Sequence, residues 1–60
     1  MYEIVDLSTD ATYDATFDTE AAAIAYLLDA GVDDNPFGVY CDSEEAWTAI
    51  VFAGEVWRPS

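Results

Sequence analysis

Carboxylates are the reactive groups this chain has in number. Thirteen Asp and Glu stand against one basic residue, Arg58, with no lysine and no histidine. Carboxylates can act as general acid and base, or as ligands for a hard cation such as calcium. The nearest approach to a motif is Asp33, Asn35, Gly38 and Glu44, which fall at the first, third, sixth and twelfth positions of a calcium-loop spacing. Phe37 occupies a liganding position of that pattern, and Pro36 is awkward within it. The residues after Glu44 also read as strand where an EF-hand continues into helix. The spacing therefore predicts weak cation association at Asp33 and Asp34 rather than a metal site.

Other chemistry is excluded more simply. With thirteen acids in 60 residues, any two can be neighbours, so a carboxylate pair carries no specificity. There is no histidine base and no glycine-rich phosphate loop. The single Cys41 forms no intrachain disulfide, and without histidine a Cys/His zinc site cannot be built. Its acidic neighbours are expected to raise its pKa and dull its reactivity. No enzyme activity and no cofactor are expected. A direct nucleic-acid ligand is not expected either, because nothing is present to neutralise phosphates. One free thiol and a start without a basic, then apolar, leader fit a cytoplasmic protein. The longest mostly apolar run, residues 21–28, is too short to cross a bilayer.

The elements that would carry these side chains can be read from periodicity. Residues 2–7 read as a strand in which Ile4 and Val5 are adjacent, which suits a strand covered on both faces. A turn follows at residues 8–11. Residues 12–17 alternate, with Tyr13, Ala15 and Phe17 on one face, so the two strands form a hairpin. Asp18 is read as the N-cap of an alanine-rich helix over residues 19–30, ended by Gly31. Its apolar face is read as Ile24, Leu27 and Leu28, with Ala21 and Ala23 close by. Residues 37–41, 46–52 and 55–57 read as strands, joined by an acidic turn and a tight turn at Ala53 and Gly54. The expected fold is a single α+β domain over residues 1–60. It has an antiparallel sheet, element order β-β-α-β-β-β, and one helix packed on one face.

The formal net charge of −12 is the dominant property of the chain. A folded 60-mer has a radius of roughly 10 Å, and the Debye length at physiological salt is about 8 Å. Most of the charges therefore feel one another, and the compact state is strained by self-repulsion. Hydrophobic residues still make up 53% of the chain, so folding rather than disorder is expected. The acids concentrate around Asp29, Asp33 and Asp34 at the helix exit, and at Asp42, Glu44 and Glu45 between two strands. The former is a poor place for stability, since a helix C-terminus carries negative partial charge.

Two readings account for this charge. In the first, the protein binds and inhibits a basic, nucleic-acid-handling protein such as a nuclease, presenting carboxylates at a DNA-like density. Alternate strand residues lie ~6.6 Å apart, close to two of the ~3.4 Å phosphate rises along one DNA strand. In size and charge alone, the chain is similar to small acidic inhibitors encoded by bacteriophages and other mobile elements, some anti-CRISPR and anti-restriction proteins among them. Asp33, Asp34, Asp42, Glu44 and Glu45 would supply charge, and Trp47 or Trp57 an aromatic anchor. In the second reading, the acidity is an adaptation to concentrated salt in a halophilic or mobile-element accessory protein. Residues 46–52 offer apolar side chains to both faces of the sheet, while one helix covers only one. The uncovered face is thus expected to serve partner docking or a homodimer.

Overall fold

The strand with adjacent apolar residues, β1 (Tyr2–Asp6), lies inside the sheet, with Ile4 fully buried and Val5 half-buried on the other face. The computed structural model describes residues 1–30 and 35–58. After β1 come β2 (Ala11–Phe17), α1 (Glu20–Ala30), β3 (Phe37–Cys41), β4 (Ala46–Phe52) and β5 (Glu55–Trp57). The sheet order is β2-β1-β3-β4-β5, with every neighbouring pair antiparallel.

This order explains the place of the helix. Both β2 and β3 are antiparallel to β1, so they run parallel to each other. Parallel strands cannot be joined by a tight turn and need a crossover. The segment carrying α1 makes that crossover, and α1 packs against β1, β2, β3 and β4 on one face of the sheet. The expected α+β architecture, one helix on one face of an antiparallel sheet, is what the chain adopts.

The core sits between α1 and this inner face. Ile4, Phe37, Val39, Ala49 and Val51 point into it from the sheet, and Ala23, Ile24 and Leu27 from the helix. Each fully buried Ile, Leu or Val contributes about 1.5–3 kcal/mol through lost apolar exposure. Tyr13 and Phe17 of β2 extend this layer toward Tyr26, with ring centroids 6.3 and 5.4 Å from it. Among the described residues, no polar or charged side chain is fully buried.

Two local expectations need correction. The helix is capped by Thr19 rather than Asp18: the Ala22 amide donates to Thr19 Oγ1 at 3.1 Å. That places the hydroxyl opposite the third helical residue, the usual N-cap geometry. Leu28 is 46% exposed rather than part of the packed face. Leu27 faces the sheet, and the next position on a 3.6-residue repeat is turned about 100° away. Gly31, read as the helix stop, lies outside the described residues.

The turns use local chemistry. Asp6 closes the first one, accepting from the Ser8 amide at 2.9 Å and the Ser8 hydroxyl at 2.8 Å. The Ser8 hydroxyl bond is the main reason its carboxyl is held below the usual range. Ala53 and Gly54 join β4 to β5 with φ of 53° and 77°, the positive pair that matches the twist of a two-residue hairpin.

Candidate protein-docking face

The side of the sheet away from α1 carries the candidate site. Cross-strand register sets its rows. Thr16, Glu3, Tyr40 and Trp47 form one row across β2, β1, β3 and β4. Thr12, Val5, Gly38, Ile50 and Trp57 form the next, reaching β5. Phe52 opposite Glu55 extends the face at its far end. Side chains alternate between faces along a strand, so the inward Ala49 and Val51 leave Ile50 and Phe52 pointing out.

The face is divided by polarity. Its β3-β4-β5 half is apolar, with Trp47 45%, Ile50 37%, Phe52 41% and Trp57 58% exposed. Its β1-β2 half presents Glu3, Thr12, Asp14 and Thr16 instead. Large apolar side chains scattered singly are ordinary on a protein surface, but a group gathered on one sheet face is a candidate interaction surface. Among the described residues no enclosed pocket opens on this surface. The site is a face and not a cleft.

A β-bulge shapes it. The β3–β4 register shifts between Val39 and Tyr40, opposite the stretch from Trp47 to Ala49. The extra residue, Thr48, donates its hydroxyl toward the Val39 carbonyl at 3.4 Å. Bulges bend a strand and re-aim its side chains. Here the Trp47 ring packs edge-on to Tyr40, with centroids 5.2 Å apart, and lies against the bare backbone of Gly38.

Acidic groups border the apolar half. Asp42, Glu44 and Glu45 fill the turn between β3 and β4, all exposed, with Glu45 in the left-handed region at φ 52°. The Asp42 amide donates to the Met1 carbonyl at 3.0 Å, which fastens that turn to the start of β1. Asp42 also lies beside Glu3, and the hydrogen bond between the two carboxyls, with their repulsion, pushes the Glu3 pKa up. Glu55 stands at the opposite end, paired with Phe52.

The residues expected from sequence are thus only partly united. Trp47 and Trp57 share the outer face, on neighbouring strands, and Asp42 joins them through Glu3. The Tyr2 hydroxyl has its pKa held up first by Cys41 and to a smaller extent by the charge of Glu44. Asp33 and Asp34 lie outside the described residues. Glu3, Gly38 and Phe52 were not singled out as site residues. Their signal is the period-two pattern of β1, β3 and β4, which becomes readable only once the register is known.

Cys41 differs from expectation. Its thiol is held below the ordinary value, chiefly by the Ser43 hydroxyl 3.3 Å away and next by the Glu44 amide, which outweigh the effect of burial. The side chain is nonetheless 1% exposed, so it is walled off from reagents. Arg58 donates through Nε and Nη2 to Glu20 Oε1 at 3.2 and 2.8 Å, tying the end of β5 to the first turn of α1. That bond leads the effects that hold the Glu20 pKa down.

No protein-family model matches this chain, and neither a characterised protein nor a solved structure is significantly similar to it.

Proposed function

We propose that this protein binds and inhibits a basic, nucleic-acid-handling protein, docking through the helix-free face of its sheet. The observation that supports this most is the exposed group Trp47, Ile50, Phe52 and Trp57 bordered by carboxylates on a chain of net charge −12. Protein interfaces combine desolvated aromatic anchors with a polar rim that steers encounter. Here the rim is acidic, so the complementary surface is basic. Occupying the basic groove of a nuclease or repressor excludes its nucleic acid by charge and bulk. No helix among the described residues is long and apolar enough to cross a membrane, and action in the cytoplasm, on a cytoplasmic target, is part of this proposal.

The competing reading is acidity that serves solubility in concentrated salt. It accounts for the charge and leaves the aromatic face without a purpose, since four large apolar side chains in water oppose solubility. The direct test is capture of basic proteins from a host lysate, repeated with excess duplex DNA. Enrichment of nucleic-acid-binding proteins that DNA displaces supports occlusion. Failure to enrich them, or failure of DNA to displace them, refutes it.

A further inference from the structure

We infer that the outer face receives one amphipathic α-helix of the partner, bearing Lys or Arg beside its apolar stripe and lying over β3, β4 and β5. This rests on the reading above and names the element that fills the site.

Three observations carry it. The first is width. Trp47, Ile50, Phe52 and Trp57 are exposed on β4 and β5, and half-buried Tyr40 adds β3. Three adjacent strands at ~4.8 Å spacing make a band about 10 Å across, the diameter of a single helix. The second is the sheet itself. Its inner face already takes one helix, α1, through Ala23, Ile24 and Leu27 at helical spacing. A second helix on the bare face would cover its apolar side chains as α1 covers those of the inner face. The third is charge. Glu3 and Asp42 border the band at its β1 side, and Glu55 stands at its far end. A helix with cations beside its stripe places them against these acids. A second copy of this chain, itself of net charge −12, would instead bring its own rim acids against these. A nucleic acid would likewise bring only charge of the same sign.

The test uses the whole protein and three synthetic peptides of about 18 residues, ~27 Å as helix, against principal extents of 28 × 27 × 20 Å. One has leucines at helical period with lysines flanking them. The second has the same composition scrambled to remove the period. The third replaces the lysines with glutamates. Binding is followed by the fluorescence of Trp47 and Trp57 and by backbone amide shifts. The amphipathic basic peptide should bind at least about tenfold tighter than the scrambled one, a difference of about 1.4 kcal/mol. Its shifts should centre on Tyr40, Trp47, Ile50 and Trp57. The acidic peptide should not bind. Ile50→Ser, at a site 37% exposed, should lose about tenfold in affinity for the basic peptide.

Equal binding of the scrambled peptide overturns the helix inference while leaving charge-driven inhibition standing. So does failure of every peptide when a basic nucleic-acid-binding protein is still captured and displaced by DNA. If neither peptides nor basic proteins bind, the functional reading falls as well. A stable dimer in sedimentation, with both tryptophans shielded, makes a second copy the occupant and overturns the inference.

Discussion

Trp47 fills the space above Gly38. A Cβ built on Gly38 would lie 2.5 Å from Cζ3 and 2.8 Å from Cε3 of the Trp47 ring, with Leu7 Cδ2 at 3.2 Å. The glycine is thus the seat of the tryptophan, and the exposed aromatic is held in place by the absence of a side chain two strand positions away. Gly38→Ala should push the indole into solvent and cost about 1–3 kcal/mol, as overpacking does. Urea unfolding measures the loss, and a red shift of the tryptophan emission reports the displacement. An unchanged emission maximum would show that Trp47 does not depend on this seat.

The helix cap gives a second, independent test. Thr19→Ala should cost about 1 kcal/mol, because the Ala22 amide loses its acceptor. Asp18→Ala should cost distinctly less. Urea midpoints of the two variants decide between the caps.

Stability should depend on pH through Glu3 with an unusual sign. Its folded pKa lies above the ordinary 4.5, first because of the hydrogen bond to Asp42. A raised acid stabilises the fold below its unfolded pKa, and that contribution is lost as pH rises through the folded value. Glu3→Gln should therefore raise the melting temperature at pH 7, with the gain gone below 4.5. Glu20 acts in the opposite direction. Arg58 holds its pKa down, so its contribution is present above 4.5 and is lost as pH falls through the folded value. Arg58→Gln should remove that contribution. The pair is exposed, so the loss at neutral pH should stay below about 1 kcal/mol and shrink in salt.

Salt separates the two accounts of the charge. Self-repulsion is largely screened within a few hundred millimolar, since the Debye length is about 8 Å at 0.15 M and about 3 Å at 1 M. The melting temperature should rise with KCl and level off in that range. A continued steep rise into molar KCl would favour adaptation to salt.

Charge and anchor should act on different rates of binding. Neutralising Asp42, Glu44 and Glu45 together should slow association with a basic target more than it speeds dissociation, because rim charges steer encounter. Trp57→Ala should chiefly speed dissociation, as loss of an anchor does. Stopped-flow association and dissociation rates would show whether the two groups divide the work in this way.

Much of the local structure was written in the sequence, because it depends on neighbours along the chain. The alanine-rich stretch gives α1, the tight turn at Ala53 and Gly54 joins the last two strands, and β3, β4 and β5 fall at the residues their β-branched and aromatic side chains imply. The adjacent Ile4 and Val5 implied a strand covered on both faces, and the structure buries Ile4 and half-buries Val5. Composition alone also fixed the charge. The remainder depends on pairings between residues far apart in the chain. That β1 lies between β2 and β3 follows from which edges pair, and this places Glu3 beside Tyr40 and brings Asp42 to it. The bulge opposite Tyr40 aims Trp47 over Gly38, and the end of β5 brings Arg58 to Glu20. Local propensity specifies strands without specifying their order or register. Only the folded sheet decides which alternate residues share a face, and therefore that Trp47, Ile50, Phe52 and Trp57 stand together on the side the single helix leaves open.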